Sequence, residues 1–338
     1  FPITYYGAGV INPGSNLTFT NNAYNYVDID FADFDQEWRL KNFGLPYFND
    51  NNIYLNAGAN WIIDPGVNIQ MNHTDIEVNG GKVKAIGTKE KPIIFSKYTT
   101  ASYWRGLRFY NGTNDTATVV KNCIFQDAMY DYEWYAAMRI SNASITVDSC
   151  LFRNNSWNLS LEGVSAPVIS NTVFRPSITA NQEARNITMD INATPEFVND
   201  SIQFNAAEIR AVRIRESTLT KKNVRLKKLN FAGINNISYC LYNNVTVHDT
   251  ASLVIDPGVV IKWRYYSQLI GNGKITAIGT DTEPIVFTHL ADDNYGNPLD
   301  SQNDGTQTPG VSNAGRIYLY STEESRLEKC KILYGGYD

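Results

Sequence analysis

Two stretches with the same pattern decide the fold of this chain. They are residues 61–95, WIIDPGVNIQMNHTDIEVNGGKVKAIGTKEKPIIF, and residues 253–287, LVIDPGVVIKWRYYSQLIGNGKITAIGTDTEPIVF. The two stretches align without gaps at a constant offset of 192, and 15 of 35 positions are identical. An internal match of this length indicates that the chain contains a duplicated module.

Each copy consists of short apolar or alternating runs separated by turn-forming residues. Lys82–Ile86 and Pro92–Phe95 are two such runs, and Asp-Pro-Gly, Asn-Gly and Gly-Thr separate the runs from one another. This pattern predicts β-strands joined by tight turns. The strands are too short for a β-sandwich and are typical of the faces of a solenoid coil.

A shorter period lies inside the module. The segments Asn122-Cys-Ile-Phe125, Ser149-Cys-Leu-Phe152 and Asn171-Thr-Val-Phe174 share one motif, and their terminal phenylalanines are 27 and 22 residues apart. One turn of a parallel β-helix has about this length, and stacking at about 4.8 Å places equivalent residues above one another. The sequence therefore predicts an all-β fold, a right-handed parallel β-helix with long loops and roughly ten to twelve coils.

These motifs, together with Trp104-Arg-Gly-Leu-Arg-Phe109, resemble the pectin-lyase-like repeat modules of large secreted and cell-surface proteins. The resemblance covers most of residues 51–338, and it implies the right-handed β-helix and roles that range from adhesins to polysaccharide-acting enzymes. We expect residues 1–50 to form an irregular leading coil or cap. We expect residues 51–232 to form the first module and residues 233–338 an incomplete second module, continuous with the first, as part of a longer array.

Charge and composition narrow the range of partners. The 34 acidic residues outnumber the 29 basic residues, so no overall positive field attracts nucleic acid. No run approaches the roughly 18 apolar residues that cross a bilayer, so we expect no membrane insertion in this segment. Twelve N-x-S/T sequons are typical of a secreted or cell-surface protein. The expected glycosylation sites are Asn16, Asn72, Asn111, Asn142, Asn158, Asn186 and Asn244.

An acidic insertion in the second copy is the candidate metal site. Asp300-Ser-Gln-Asn-Asp-Gly305 resembles the opening of a calcium-binding loop, in which several oxygen ligands surround a sharp turn at glycine. Gln302 departs from that pattern, and no glutamate stands at its twelfth position. The expected ligands of a structural Ca²⁺ are Asp292, Asp293, Asp300, Gln302 and Asp304. The alternative is an acidic loop that water alone solvates.

Aromatic residues form the second candidate site. Tyr130, Tyr132, Trp134 and Tyr135 follow a coil motif directly, and Trp263 lies in the second copy. Exposed Tyr and Trp rings pack against sugar rings while their polar edges reach hydroxyl groups, so these residues predict carbohydrate binding. The alternative is that they cover the ends of core columns.

Catalytic residues are not assigned. Lyases and hydrolases need clustered carboxylates with a base on one face, and the best such grouping joins Asp127, Asp131 and Glu133 with Arg105 or Arg108. Cys123 and Cys150 occupy the same position in successive coils, where buried free thiols are favoured over a disulfide.

The sequence thus favours a non-catalytic extracellular structural or adhesion protein, a rigid β-helix stalk or filament segment of a larger surface protein. The alternatives are a polysaccharide lyase or glycoside hydrolase, and a carbohydrate-binding attachment module. The expected partners are other copies of itself, neighbouring modules and polysaccharide.

Overall fold

The computed structural model describes residues 1–7, 17–30, 32–113, 115–130, 132–178, 183–264, 266–310 and 315–336. In this part of the chain, parallel strands stack into a β-solenoid of about 10 turns. Helix is confined there to two single 3₁₀ turns, Asp115–Ala117 and Glu133–Tyr135. The predicted all-β solenoid is confirmed, while its handedness and its family stay predictions. None of the described helices is long and apolar enough to span a membrane.

The strands are short and regularly spaced along the chain. The first group is β1 (Ile3–Tyr5), β2 (Val27–Ile29), β3 (Asp33–Phe34), β4 (Glu37–Leu40), β5 (Tyr47–Asn49), β6 (Ile53–Asn56), β7 (Asn60–Ile63), β8 (Asn68–Met71), β9 (Ile76–Asn79), β10 (Lys82–Ile86), β11 (Ile93–Lys97), β12 (Leu107–Phe109), β13 (Val119–Lys121), β14 (Cys123–Gln126), β15 (Met138–Ser141), β16 (Thr146–Asp148), β17 (Leu151–Arg153), β18 (Leu159–Glu162), β19 (Val168–Ser170) and β20 (Val173–Phe174). The second group is β21 (Ile187–Met189), β22 (Glu196–Val198), β23 (Ser201–Ile202), β24 (Val212–Ile214), β25 (Ser217–Leu219), β26 (Val224–Leu226), β27 (Leu229–Phe231), β28 (Ile234–Ile237), β29 (Tyr239–Leu241), β30 (Val245–Val247), β31 (Ser252–Ile255), β32 (Val260–Trp263), β33 (Gln268–Gly271), β34 (Lys274–Ile278), β35 (Ile285–His289), β36 (Arg316–Leu319), β37 (Arg326–Glu328) and β38 (Cys330–Ile332).

The chain divides into two compact units. Unit 1 comprises Phe1–Ser160, Ser165–Thr179 and Val198–Gln203, and unit 2 comprises Leu161–Val164, Ala180–Phe197 and Phe204–Asp338. The boundaries 51–232 and 233–338 follow the sequence duplication instead, and they stay a prediction. The expected irregular cap at residues 1–50 already contains β1–β5, and these strands pair with later strands of unit 1.

Unit 1 has three parallel sheets. Sheet A contains β1, β2, β5, β8, β11, β14, β17, β20 and β23; sheet B contains β3, β6, β9, β12 and β15; sheet C contains β4, β7, β10, β13, β16 and β19. Neighbouring strands of these sheets run parallel and in register, as β11 does with β14 and β14 with β17, and alternate side chains point inward.

A column of four phenylalanines lies in the interior of unit 1. Phe95, Phe125, Phe152 and Phe174 are all fully buried. Their successive ring centroids are 4.9, 5.0 and 5.0 Å apart, which matches the spacing of neighbouring strands. The stacking that the repeated motif predicted is confirmed.

A left-handed residue marks one corner of these coils. Asn122, Ser149, Asn171 and Asn199 have φ values of 48°, 55°, 51° and 58°. Each stands three residues before the apolar residue that enters the core column of sheet A. Asn populates this region of φ more readily than most residues, because its short side chain hydrogen-bonds locally.

Unit 2 also has three parallel sheets. Sheet D contains β21, β24, β29, β32, β35 and β38; sheet E contains β25, β30, β33 and β36; sheet F contains β26, β31, β34 and β37. An antiparallel hairpin, β27 and β28, stands apart from them. The duplication maps β7–β14 of the first copy onto β31–β38 of the second copy, strand for strand.

Candidate functional site

Four of the five predicted aromatic residues form a cluster with Tyr103 on the outside of sheet B. The rings of Tyr103 and Tyr130 are 4.6 Å apart, and those of Tyr130 and Tyr135 are 4.9 Å apart, both edge to face. Tyr132 and Trp134 lie at the rim, with 53% and 37% of their surface exposed. We call these five residues, with Arg105, Arg108 and Arg139, the aromatic–arginine surface.

Arg105 lies at the centre of this surface. Its guanidinium carbon is 5.8, 5.7 and 5.6 Å from the ring centroids of Tyr103, Tyr130 and Tyr135. Such distances allow cation–π attraction. Within the described residues no carboxylate pairs with Arg105, and its Nε atom is buried without a hydrogen-bond partner. Arg105 therefore combines a positive charge with donor capacity that the described chain does not use.

Arg108 lies beneath the same surface, under the ring of Tyr135. It is almost fully buried, and its Nη2 and Nη1 atoms lie 2.7 Å from Asp75 and 3.2 Å from Glu77. The ring of Tyr135 covers the guanidinium at 4.3 Å. Burial raises the pKa of Asp75, although the charge of Arg108 acts in the opposite direction. Register explains the pairing, because Arg108 on β12 lies beside Glu77 on β9 and Arg139 on β15.

Arg139 extends the surface on its other side. Its guanidinium lies over Trp134 at 4.8 Å and over Tyr110 at 5.5 Å. The exposed indole of Trp134 is thus held by a cation on one face, and this contact restricts its orientation. Preorganised rings of this kind lose little conformational freedom on binding a ligand.

Trp263 does not belong to this surface, so the prediction needs correction there. Its side chain is 0% exposed and stacks on Phe287 with ring centroids 5.8 Å apart. Ile261 and Trp263 are two residues apart on β32 and therefore point to the same inward face. This alternation was visible in the sequence and was a usable signal.

Two members of the carboxylate grouping considered for catalysis, Asp127 and Arg108, have other partners. Asp127 accepts a hydrogen bond from its neighbour Gln126 at 3.0 Å, and Arg108 is already paired with two other carboxylates. Asp131 lies outside the described residues. The carboxylates that pair with Arg108 are Asp75 and Glu77, which sequence reasoning did not single out.

The acidic insertion brings three of its predicted ligands together. Carboxylate oxygens of Asp293, Asp300 and Asp304 all lie within 4.8 Å of one another. Asp293 Oδ1 is buried without a hydrogen-bond partner among the described residues. Burial raises the pKa of Asp304, and repulsion by Asp300 and Asp293 raises it further. A divalent cation would relieve this repulsion.

The other two predicted ligands differ from this group. Asp292 is fully buried, accepts hydrogen bonds from the backbone and side-chain nitrogens of Asn294, and contacts the Thr288 hydroxyl. Its carboxylate is thus used within the loop, and its role as a metal ligand stays a prediction. Gln302 is partly exposed, and its role as a ligand stays a prediction.

A buried lysine fixes this insertion to sheet D. Lys262 is 0% exposed, and its ammonium group donates to the backbone oxygens of Asp292 at 2.8 Å and Leu299 at 3.1 Å. Burial lowers the pKa of Lys262 to about 8, although Asp292 and neighbouring aspartates act in the opposite direction. Sequence reasoning missed this residue, because an alternating strand predicts an exposed lysine at that position.

The sequons differ in accessibility. Asn111, Asn142 and Asn244 are exposed and Asn72 is partly exposed. Asn158 and Asn186 are fully buried, and their amides donate to the Arg175 backbone oxygen and the Glu208 carboxylate, both at 2.8 Å. Both must be withdrawn as glycosylation sites, because the folded chain leaves no room for a glycan there. Asn16 lies outside the described residues.

The described cysteines are free thiols. Cys123, Cys150 and Cys240 are buried, and Cys330 is partly exposed. Burial raises the pKa of Cys123 and Cys240, the latter to about 12, so neither is an activated nucleophile.

Comparison of the chain with family models, with curated proteins and with solved structures found no match. The resemblance to pectin-lyase-like modules therefore rests on the sequence motifs and is compatible with the observed solenoid.

Proposed function

We propose that this chain is a non-catalytic extracellular structural and adhesion segment that binds polysaccharide through the aromatic–arginine surface. The observation that carries the proposal is the position of Arg105. Its guanidinium has no carboxylate partner among the described residues, and it lies within cation–π distance of three tyrosine rings. The exposed rings of Tyr132 and Trp134 stand at the rim of the same surface.

Two complementary interactions support sugar as the ligand. The apolar faces of aromatic rings pack against the C–H faces of pyranose rings, and phenol and indole edges donate to hydroxyls. A planar guanidinium offers several donors in a fixed fork, which suits ring oxygens, hydroxyls and acidic substituents. The aromatic–arginine surface provides both within a few ångströms.

Secretion or display at the cell surface fits the same proposal. Exposed sequons lie at turns of the solenoid, as Asn111 and Asn142 do, where a glycan would extend into solvent. A rigid coil that holds a binding surface in a fixed orientation also suits attachment to a polymer with repeated units.

A polysaccharide lyase or hydrolase is the less well supported alternative. Such an enzyme needs a base or an acid that is free to reach the substrate. Arg108, Asp75 and Glu77 instead form a closed ion-pair network beneath Tyr135. Arg105 is the remaining basic candidate, and aromatic rings rather than carboxylates surround it.

Structural calcium is part of the proposal for unit 2. Three carboxylates converge in the insertion, and one of their buried oxygens has no partner among the described residues. The ion would fix the loop that Lys262 already holds at Asp292 and Leu299.

The sugar-binding proposal is tested by co-sedimentation of the purified chain with insoluble polysaccharides, followed by titration with soluble fragments of the polymer that binds. Truncating both rim residues, Tyr132→Ala with Trp134→Ala, should weaken binding at least about tenfold, because exposed aromatic anchors dominate such interfaces. Arg105→Gln should weaken it separately. Tyr6→Ala is the matched control, since Tyr6 is 78% exposed and lies elsewhere in unit 1.

Equal binding by the rim double variant and by the control would contradict the proposal. Absence of binding to every polysaccharide tested would contradict it as well. Turnover of the bound polymer, detected as new reducing ends or unsaturated products, would favour the enzymatic alternative.

A further inference from the structure

Two segments that are longer in the second copy than in the first meet on the outer face of sheet D. The strands β26 and β29 are the counterparts of β4 and β5, because they pair with β31 and β32 as β4 and β5 pair with β7 and β8. The second copy has 12 residues between β26 and β29, which include the hairpin β27–β28, whereas the first copy has 6 residues between β4 and β5. The second copy also has 26 residues between β35 and β36, which contain the acidic insertion, whereas the first copy has 9 between β11 and β12.

The hairpin and the insertion are joined to each other. The side-chain amide of Asn297, in the insertion, donates to the backbone oxygen of Asn235, in the hairpin, at 2.8 Å. Both segments belong to unit 2.

The two segments cover outward positions of sheet D. Val260 on β32 and Val286 on β35 are cross-strand partners on the outer face of the sheet. They are only 6% and 3% exposed. The equivalent residues of the first copy, 192 positions earlier, are Asn68 and Ile94, and both are partly exposed. Water is therefore excluded from these positions in the second copy to a greater extent than in the first.

A cleft of about 520 Å³ lies between these parts of unit 2. Sheet D and the turn before β35 contribute apolar lining, namely Val260, Val286 and Pro284, whereas the hairpin contributes Asn230, Asn235 and Asn236 and the insertion contributes Tyr295. A volume of this size, with apolar lining and a few convergent polar groups, is typical of a site for a small ligand. We call it the hairpin cleft.

Two asparagines of the hairpin are held by one half of their amide groups. Asn230 Oδ1 accepts from the backbone nitrogen of Asn236 at 2.8 Å, and Asn236 Nδ2 donates to the backbone oxygen of Gly258 at 2.7 Å. A side-chain amide has both donors and an acceptor. The fixed amides therefore offer Asn230 Nδ2 as a donor and Asn236 Oδ1 as an acceptor to a ligand.

The charged and aromatic lining residues favour a neutral ligand with an apolar face. Lys228 Nζ lies 2.6 Å from Glu283 Oε1, so these two charges neutralise each other. Tyr295 accepts a hydrogen bond from Lys331 Nζ at 3.2 Å, and the same ammonium group lies 4.9 Å from the centroid of its ring. These contacts restrict the orientation of the ring, and an ordered tyrosine packs well against the C–H face of a sugar.

We propose that the hairpin cleft is a second carbohydrate-binding site, on unit 2, and that it takes a short neutral oligosaccharide. The sugar packs on Tyr295 and the apolar lining, and its hydroxyl groups exchange hydrogen bonds with Asn230 and Asn236. The aromatic–arginine surface of unit 1 is proposed to bind the same class of ligand through other residues. Either site can therefore fail without the other.

Calorimetric titration of the purified chain with cellotriose, maltotriose, mannotriose and triacetylchitotriose tests the proposal. At least one of these neutral trisaccharides should bind. It should slow amide hydrogen exchange in residues 228–237 and 282–296, which carry the hairpin and the insertion side of the cleft.

A blocking variant and its counterpart in the first copy provide the matched pair. Thr282 is an exposed lining residue of the cleft, and Glu90 is its exposed equivalent in the first copy. Thr282→Trp should weaken binding at least about tenfold, because the indole obstructs the cleft. Glu90→Trp should leave the affinity at the parent value.

A second variant tests the hydrogen bond without filling the cleft. Asn230→Asp retains the oxygen that accepts from Asn236 and removes the Nδ2 donor, so it should weaken binding at least about fivefold. The rim double variant Tyr132→Ala with Trp134→Ala should retain both the binding and the exchange protection of the hairpin.

Failure of all four trisaccharides to bind the parent chain would overturn the inference. Binding that survives both Thr282→Trp and Asn230→Asp would overturn it as well. If that binding were lost in the rim double variant, the sugar would bind unit 1 alone, and the proposed function would stand without the hairpin cleft.

Discussion

The surfaces around Arg108 and Lys262 each bury a cation, and they do so by different chemistry. On sheet B, Arg108 is held by the carboxylates of Asp75 and Glu77 and covered by Tyr135. On sheet D, Lys262 is held by the backbone oxygens of Asp292 and Leu299, which belong to the insertion. The first arrangement leaves aromatic rings at the surface for a ligand, whereas the second leaves a folded acidic loop.

The difference shows how outward strand positions acquire different roles. A guanidinium with two carboxylates satisfies its own charge, so the rings around it remain free to bind other molecules. An ammonium group has three N–H donors that do not lie in one plane. It can therefore hold a loop by donating hydrogen bonds to several carbonyl oxygens. Unit 1 therefore carries the candidate binding surface, and unit 2 carries the candidate metal loop.

The largest loss of stability is expected for a substitution beside Arg108 on sheet B. Asp75→Asn should lower the free energy of unfolding by about 4 kcal/mol, because it removes one partner of a buried charge and leaves Arg108 partly uncompensated. Urea denaturation measures this change. Glu77→Gln is the matched comparison and should cost less, since its contact with Arg108 is longer and more exposed. Equal costs would show that Asp75 has no special role beneath the aromatic surface.

A smaller effect is expected on the sheet D side. Lys262→Met should lower the free energy of unfolding by about 2 kcal/mol, because two loop carbonyls lose their donor while the cost of burying a charge is removed. Limited proteolysis should cut the insertion faster in this variant than in the parent. An insertion that stays protected would mean that Lys262 does not hold the loop.

The same lysine predicts a dependence on pH. Its folded-state pKa is lowered from 10.5 to about 8, so between these values the unfolded chain binds more protons than the folded chain. Stability contributed at this position therefore rises as pH increases from about 8 to 10.5. The parent's unfolding free energy minus that of Lys262→Met should rise over the same pH range. Taking this difference removes the contributions of the other titrating groups, which both proteins share. A pH-independent difference would contradict the lowered pKa.

The smallest effect concerns calcium. Adding Ca²⁺ to chelator-treated protein should raise the melting temperature by about 2 °C, as expected for ligand binding worth about 1 kcal/mol in a chain of this size. Asp293→Asn should abolish the rise, and Asp249→Asn, at an exposed carboxylate outside the insertion, should retain it. An unchanged melting curve in the parent would contradict the calcium proposal. It would not affect the proposed role of Lys262 in holding the loop.

The sequence predicted those parts of the fold that repeat. The stacked phenylalanines of sheet A and the strand order of the second copy follow from spacing alone, because each coil copies its neighbour. The aromatic cluster at Tyr130–Tyr135 could also be predicted, since it directly follows a coil motif.

The features that sequence reasoning missed depend on contacts between distant residues. Lys262 is buried only because residues about 30 positions later fold over β32. Asn158 and Asn186 are lost as glycosylation sites because each fits into the solenoid and bonds to a particular distant partner. Sequence reasoning considered Arg105 only as a base beside carboxylates. It became a candidate for sugar binding because three tyrosine rings surround it and no carboxylate among the described residues pairs with it.

The left-handed corner at Asn122, Ser149, Asn171 and Asn199 affects how the sequence can vary during evolution. Each corner returns the backbone to the same starting point for the next strand of sheet A, whatever length of loop came before it. Insertions and deletions between corners therefore leave the pitch of the core intact. Variation can accumulate in the loops that carry binding residues while the corner itself tolerates few replacements.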